Sequence, residues 1–225
     1  GLGVLMDFFA YFTAVVEDRK KNPTDDLASI LANAMVDGQP MEQLDQISYF
    51  IITATAGHDT TSATISGGMK ALLEHPDQLA KLRKNPALAK QAAREMIRWV
   101  SPVRHMMRTT TEDIVLRGKT LKSGDSLCLW YPSANRDSDA IDNPDTLDIE
   151  RDNRNQLAFG FGGHMCLGQH LAVLEVELFF QELLPRLKHI ELAADPEWVQ
   201  AIFVGGLKSM PLRYSFEAGG LARSS

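Results

Sequence analysis

The sequence predicts a mainly α-helical fold with small antiparallel β-sheets. The stretch from Pro40 to Glu74 contains no further proline and is apolar nearly all round, as expected of a long central helix through the interior. Shorter segments with apolar residues at helical spacing lie before and after it. Strand-like runs bounded by turn residues begin after Ser101, and they are short.

Capping and breaking residues divide the helical part of the chain. Acidic side chains can cap a helix at its start, whereas an Asp-Gly pair or a proline ends one. The predicted helices before the first strand are residues 5–20, a segment from the Asp25-Asp26 cap through Met35, the central helix up to His75-Pro76, and about 77–84 and 87–100.

The predicted strands lie in the second half. Residues 114–116 and 119–121 flank Arg117-Gly118 and predict a small hairpin, and residues 126–130 are expected to add a third strand to the same sheet. This third strand contains Cys128, which is therefore expected to be a buried structural thiol. A last pair of strands is predicted at about 198–216.

Composition restricts the functional classes. With 225 residues and 44% hydrophobic content, the chain can form one good-sized domain with a core. A net charge of −6 without a Lys/Arg stripe argues against nucleic acid as a partner. Two cysteines favour a reducing, cytoplasmic location. The longest apolar stretch, residues 47–56, is too short to cross a bilayer of about 30 Å, and no membrane anchor is expected.

The most informative segment is residues 159–168, Phe-Gly-Phe-Gly-Gly-His-Met-Cys-Leu-Gly. It sets Cys166 on a glycine-rich loop just ahead of a predicted helix whose apolar residues are Leu171, Leu174, Leu178 and Phe179. The amino end of that helix would favour the anionic sulfur, which is the form that binds metals. The glycines would let a flat cofactor approach closely, and we expect Phe159 and Phe161 to shield the sulfur from water.

Zinc is the competing metal, because His164 and His170 lie close to Cys166 in sequence. A structural zinc site usually takes four protein ligands, typically with a second cysteine or histidine pair. The sequence shows no such pair near Cys166.

Two further segments carry candidate chemistry. Thr60 lies inside the central helix, where its hydroxyl can bond the carbonyl of Ala56, and Gly57 between them allows the helix to bend or open into a polar notch. Glu95 and Arg98 are three residues apart on another predicted helix, so they share a face and can pair.

The segment from Phe159 to Gly168 resembles the cysteine loop of the cytochrome P450 family, the haem-thiolate monooxygenases. The positions that match that family's fixed spacings are Phe159, Gly160, Gly162, His164, Cys166 and Gly168. The resemblance extends over essentially the whole chain and implies the carboxy-terminal part of that fold, with a long central helix over a haem bound by the cysteine loop. Family members begin with further helices and strands that this sequence lacks, so residues 1–225 are expected to be one partial domain.

The resemblance also implies a role for each matching residue. Cys166 would be the ligand of the iron of haem b, and Asp59 and Thr60 would deliver protons to oxygen. Arg108 and His164 match contacts to the haem propionates. The remaining matches are a structural triad behind the haem (Glu95, Arg98 and Arg151) and the substrate border (Ile52, Ala56, Val103, Phe203 and Val204). Whether Arg104 and His105 face propionate, substrate or solvent stays open.

The implied reaction is hydroxylation of a small hydrophobic substrate with O2. Electrons would come from NAD(P)H through a ferredoxin reductase and a ferredoxin. Residues 131–137 and 164–171 look most like soluble bacterial enzymes that hydroxylate terpenes, which suggests a terpenoid substrate. Two alternatives are a peroxide-driven haem enzyme, against which Asp59 and Thr60 argue, and a truncated piece without independent activity.

Overall fold

The computed structural model describes residues 2–217, and this part of the chain is mainly helical. Its α-helices are α1 (Leu2–Lys21), α2 (Leu27–Ala32), α3 (Gln43–Glu74), α4 (Pro76–Lys84), α5 (Ala89–Val100), α6 (Tyr131–Ala134) and α7 (Gln169–Leu183). Short 3-10 helices are formed by Pro86–Leu88, Gly162–His164 and Leu184–Arg186. The predicted class, helical with small antiparallel sheets, is confirmed.

The strands pair as two-stranded antiparallel ladders. They are β1 (Met35–Val36) with β2 (Gln39–Pro40), β3 (His105–Thr109) with β6 (Ser126–Trp130), β4 (Ile114–Leu116) with β5 (Lys119–Leu121), β7 (Leu187–Leu192) with β10 (Leu212–Phe216), and β8 (Glu197–Trp198) with β9 (Leu207–Ser209).

The chain divides into two compact units, residues up to His58 and residues from Asp59 onward. The first unit contains α1, α2, the β1–β2 hairpin and the first part of α3. Its core consists of Phe12, Val16, Ala32, Ile47 and Phe50. The rings of Phe12 and Phe50 stack at 5.2 Å between centroids, which joins α1 to α3.

The second unit has its core between α5 and α7 and also buries part of α3. Fully buried side chains on these helices include Leu72, Met96 and Val176. Gly67 and Gly68 let α3 approach α5 closely: a Cβ atom at Gly68 would lie 2.8 Å from the Met96 sulfur, and one at Gly67 would lie 2.7 Å from Val100 Cγ2. Since the core is already close-packed, only glycine fits at these two positions without repacking.

Helix α2 is shorter than the sequence predicted. Asp26 caps it as expected, since its Oδ1 accepts from the Ser29 amide at 2.7 Å. The helix ends at Ala32, however, and Met35 belongs to strand β1. Asp37 and Gly38 have φ of 51° and 78°, which is the geometry of a tight hairpin turn, so this pair turns a hairpin instead of ending a helix.

The predicted three-stranded sheet was wrong in its pairing. The hairpin β4–β5 forms as expected around Arg117-Gly118, but β6 pairs with β3 over residues 105–109. The predicted final pair of strands was also wrong in its pairing: β8 pairs with β9, and β10 pairs with β7. Local strand propensity does not specify which distant strand supplies the hydrogen bonds.

Two burial predictions were also wrong. Cys128 is exposed, because its strand belongs to a two-stranded ladder with mostly exposed side chains. Helix α7 forms as predicted, but its buried residues are Val173, Val176 and Phe180. The predicted apolar stripe is exposed: Leu171, Leu174, Leu178 and Phe179 are 39–59% accessible. Periodicity identified the helix, but α7 is apolar on more than one face, so it did not identify the buried face.

Helix α3 continues without interruption through Gly57 and Thr60. Side chains from Ile52 to Asp59 are exposed, contrary to the predicted course through the interior. Apolar composition alone cannot tell burial within a chain from burial against a ligand or a partner. None of the described helices, α3 included, combines the length and apolarity that a bilayer crossing needs.

Candidate functional site

The cysteine loop is held by its own backbone hydrogen bonds. The Cys166 amide donates to the Phe159 carbonyl at 2.9 Å, and the Gly160 amide donates to the Leu157 carbonyl at 2.9 Å. Gly160 has a φ of 73°, and a Cβ atom there would lie 3.2 Å from the Tyr131 hydroxyl. A side chain at this position would therefore be strained by its backbone angle and crowded by Tyr131.

The loop leads directly into α7. Gly168 precedes the first helical residue, Gln169, and the Ala172 amide donates to the Gly168 carbonyl at 2.9 Å. Cys166 therefore lies at the amino-terminal end of α7, as predicted. Its side chain is exposed.

The expected shielding of the sulfur by two phenylalanines was wrong for the chain by itself. Phe161 is 80% exposed, and Phe159 packs instead against the core of the second unit. Leu167, beside the cysteine, is 93% exposed and Leu171 is 59% exposed. The loop thus presents a thiol and several apolar side chains on an open surface.

Helix α5 carries a buried ion pair, Glu95 with Arg98. Arg98 donates to Glu95 through Nε and Nη2, both at 2.7 Å, and both side chains are fully buried. Arg98 Nη1 also donates to the carbonyls of Asn135 at 2.7 Å and Pro144 at 2.8 Å. These acceptors compensate for burying the charge, which would otherwise cost several kcal/mol.

Arg151 completes the network. Its Nε donates to Glu95 Oε1 at 3.3 Å, and its Nη2 donates to the carbonyls of Asn143 and Thr146 at 3.0 and 2.9 Å. The structure therefore brings Glu95, Arg98 and Arg151 together around one carboxylate. Their hydrogen bonds tie α5 to the irregular chain of residues 135–151 that precedes the cysteine loop.

A further cation stacks beside this network. The Arg136 guanidinium lies 4.4 Å from the centre of the Trp99 ring and donates to the Trp99 carbonyl at 3.1 Å. Burial lowers the pKa of Arg136, and the nearby positive charge of Arg98 lowers it further. The ring provides a favourable site for this charge, since the face of an aromatic ring is electron-rich.

Three of the predicted substrate residues meet. Val103 and Val204 form an isolated antiparallel bridge, and the Arg104 amide donates to the Phe203 carbonyl at 2.9 Å. The turn that follows packs on α3, since a Cβ atom at Gly206 would lie 2.8 Å from Ala63 Cβ. The other two, Ile52 and Ala56, lie on α3 in the first unit and are exposed.

Arg104 and His105, whose roles the sequence left open, follow Val103 directly and lie beside the Val103–Val204 bridge. The Arg104 guanidinium packs over Gly205. The His105 ring stacks on Trp130 at 5.7 Å and meets Phe203 edge-on at 5.8 Å. Arg104 Nε and His105 Nδ1 are buried and find no hydrogen-bond partner among residues 2–217.

The remaining predicted residues lie on separate elements. Arg108 is half-buried on β3, opposite Leu127, and its Nη1 donates to the Met107 carbonyl at 2.8 Å. His164 ends the 3-10 helix of the cysteine loop and is exposed. On α3, Asp59 is exposed and Thr60 is half-buried.

A family model described as Cytochrome P450 matches residues 3–214. The chain belongs to the cytochrome P450 family. Among its relatives, the cytochrome P450-terp of a Pseudomonas species is 46% identical over 208 residues, covering 92% of this chain and 49% of that protein. The steroid C26-monooxygenase of Mycolicibacterium smegmatis is 41% identical over 224 residues, covering 97% and 56%.

A solved cytochrome P450 has the same fold. The crystal structure of CYP108D1 from Novosphingobium aromaticivorans matches with a TM-score of 0.90 at 44% identity, covering 96% of this chain and 52% of that chain. The chain therefore spans about half the length of the cytochromes P450 that it matches.

The donor set at Cys166 suits haem, the cofactor that the family implies. Among residues 2–217, no three His, Cys, Asp or Glu side chains are grouped so that they could hold a metal ion. A single thiolate suits an iron that brings its other ligands with it, as haem iron does, and does not suit zinc. The exposed apolar side chains of Phe161, Leu167 and Leu171 also offer a surface that a flat apolar ring could cover.

Sequence reasoning missed the buried contact between Ser101 and Asn135. Both are buried, and Asn135 Nδ2 donates to Ser101 Oγ at 2.8 Å. Ser101 adopts a φ of 44° after the last residue of α5. The proline at 102 signals a helix end here, but no local pattern indicates that these two side chains meet.

We expect Glu95→Gln to lower the free energy of unfolding by about 3–5 kcal/mol, because it leaves the buried Arg98 charge and the partly buried Arg151 charge without their counter-charge. Urea unfolding of the protein measures this loss. The matched control is Glu182→Gln, which removes an exposed i,i+4 partner of Arg186 and should change stability by less than about 1 kcal/mol. Equal losses in the two variants would contradict the assignment of a stabilising role to the buried network.

Proposed function

We propose that a protein containing this chain is a haem-thiolate monooxygenase that uses O2 to hydroxylate a small hydrophobic substrate, in the first place a terpenoid. The observation that carries the proposal is the cysteine loop, which presents the Cys166 thiol at the amino-terminal end of α7 in a cytochrome P450 chain. NAD(P)H would supply the electrons through a ferredoxin reductase and a ferredoxin.

Cys166 would hold the iron of haem b, with Arg108 and His164 as donors to the propionates. When bound, haem supplies an iron that binds and activates O2, and a thiolate ligand favours O–O cleavage. Arg108 suits a carboxylate because the planar guanidinium can donate two parallel hydrogen bonds to its two oxygens. Gly160 leaves room for the Tyr131 hydroxyl beside the backbone of the loop.

Asp59 and Thr60 would manage protons. Thr60 Oγ1 is a hydroxyl in a largely apolar helix, so it can donate a proton where water is otherwise scarce. The Asp59 carboxyl, one residue before Thr60, is exposed and can pass a proton from solvent to that hydroxyl. Peroxide as the oxidant would make this pair unnecessary, because peroxide brings its own protons and electrons.

Val103, Phe203 and Val204 of the second unit would border the substrate. Their apolar side chains favour a hydrophobic molecule. The relative named cytochrome P450-terp agrees with the terpene class that the sequence resemblance implies. A steroid is the second candidate, since the relative from Mycolicibacterium smegmatis is a steroid C26-monooxygenase.

The sulfur assignment is tested by the spectrum of the reduced, CO-treated haem protein. We expect the red-shifted Soret band of a thiolate-ligated iron, and we expect Cys166→Ser to abolish it because serine oxygen does not supply a thiolate. Cys128→Ser is the control: its thiol is also exposed, on β6, and its loss should leave the band intact. A thiolate-type band in Cys166→Ser would refute the assignment.

The proton assignment is tested by the coupling of electron use to product. In Thr60→Ala we expect the yield of hydroxylated product per NAD(P)H to fall about tenfold or more, with oxygen released as hydrogen peroxide, because positioned proton donors contribute about 10²–10⁴-fold. The control is Ser66→Ala. Ser66 Oγ donates to the Ser62 carbonyl at 2.9 Å and lies on another side of α3. Full turnover of the wild type with peroxide alone would favour the peroxide-driven alternative.

The substrate class is tested by titrating the haem protein with a monoterpene alcohol and with a steroid while the iron spin-state spectrum is followed. We expect the terpenoid to bind at the lower concentration. Phe203→Ala should weaken its binding about tenfold or more, because an apolar side chain of this size contributes about 1.5–3 kcal/mol when buried. Ile202→Ala, at a neighbouring side chain that is 81% exposed, should leave binding unchanged. Tighter binding of the steroid would support the second candidate.

A further inference from the structure

Asn135 connects three parts of the second unit. It lies directly after α6, and its side chain is fully buried. Its backbone carbonyl accepts from Arg98 Nη1 at 2.7 Å, and its Nδ2 donates to Ser101 Oγ at 2.8 Å. Its Oδ1 accepts from the Leu157 amide at 2.7 Å. One residue therefore touches the buried ion pair, the end of α5 and the chain that enters the cysteine loop.

The contact with Leu157 reaches Cys166 in two further steps. The Leu157 carbonyl accepts from the Gly160 amide at 2.9 Å, which forms the turn at the start of the loop. Phe159, inside that turn, accepts through its carbonyl from the Cys166 amide at 2.9 Å. The position of the Cys166 backbone therefore depends on a turn whose first residue, Leu157, is held by Asn135.

The Asn135 side chain is well suited to hold this position. The Leu157 amide can only donate, so it fixes Oδ1 as the end of the Asn135 side-chain amide that faces it, and Nδ2 donates to Ser101 Oγ. The Asn135 side-chain amide cannot flip without breaking its hydrogen bonds to both Leu157 and Ser101. Tyr131, at the start of the same short helix, has its hydroxyl beside Gly160, 3.2 Å from where a Cβ atom would lie.

We propose that Asn135 is a positioning residue for the Cys166 thiolate. The proposal rests on the proposed function, because it concerns the placement of the sulfur that would bind the iron. Without Oδ1, the partly buried Leu157 amide loses its acceptor, and an unpaired buried amide is unfavourable. The turn can relieve this by moving the amide toward water, which displaces Phe159 and the Cys166 amide bonded to it.

The test compares three variants of the haem-loaded protein by the reduced CO spectrum, by haem retention and by the midpoint of urea unfolding. In Asn135→Ala we expect the thiolate-type band to lose intensity to the band of iron without a thiolate, and haem affinity to fall about 10- to 100-fold, as is typical when a residue that orients a metal ligand is removed. Asn135→Asp keeps an acceptor of the same shape for the Leu157 amide and should retain the wild-type spectrum.

Ser101→Ala is the matched control. It removes the other hydrogen bond of the Asn135 side chain at an equally buried position, so it should lower stability but leave the CO spectrum and the haem affinity of the folded protein unchanged. If Asn135→Ala does not fold, Asn135→Ser takes its place, because its shorter side chain does not reach Leu157 but fills part of the volume.

The outcomes separate the two proposals. A wild-type protein without the thiolate-type band would overturn the proposed function itself. With that band present in the wild type, an unchanged spectrum in the folded alanine or serine variant would overturn the role of Asn135. Equal spectral loss in Ser101→Ala, or loss of the band in a folded Asn135→Asp variant, would overturn it as well, since either would indicate general destabilisation.

Discussion

The buried pair of Glu95 and Arg98 is the constraint on which the second unit depends. Neither side chain is exposed, and the charges are stabilised by each other, by Arg151, by the Asp148 amide that donates to Glu95, and by the backbone carbonyls around Arg98. Those carbonyls belong to residues 135–146, which have little regular structure of their own. The ion pair therefore gives an irregular segment a defined course, because any other course would leave a buried charge unpaired.

This course determines how the cysteine loop is presented. Asn135 accepts a hydrogen bond from Arg98 and holds the Leu157 amide, from which a turn leads to Phe159 and Cys166. A metal ligand on a loop needs such support, since a displacement of its backbone moves the sulfur directly. The same arrangement leaves the thiol exposed beside apolar side chains, which is the surface expected of a chain that binds a flat apolar cofactor.

Much of the local structure could be predicted from the sequence. The helix ends at Glu74 and Lys84, the cap at Asp26 and the turn at Arg117-Gly118 follow from residues within a few positions of each other. The errors concern contacts between distant residues. Strand β6 pairs with β3 and not with the hairpin beside it, and α7 buries Val176 and not the Leu174 face. Apolar residues surround α7 on several sides, so the partner helix decides which face is covered.

The candidate site shows the same contrast between local patterns and contacts of distant residues. The sequence by itself determined the family and the pairing of Glu95 with Arg98, and it identified Cys166 as the proposed iron ligand, because these depend on residue types at fixed short spacings. The resemblance also placed Arg151 in a triad with this pair, and the structure shows it at the Glu95 carboxylate. Only the tertiary structure decided that Val103 bridges Val204 and that Asn135 holds Leu157. Hydrogen bonds between residues 22 to more than 100 positions apart depend on how the helices pack, and no local pattern encodes that packing.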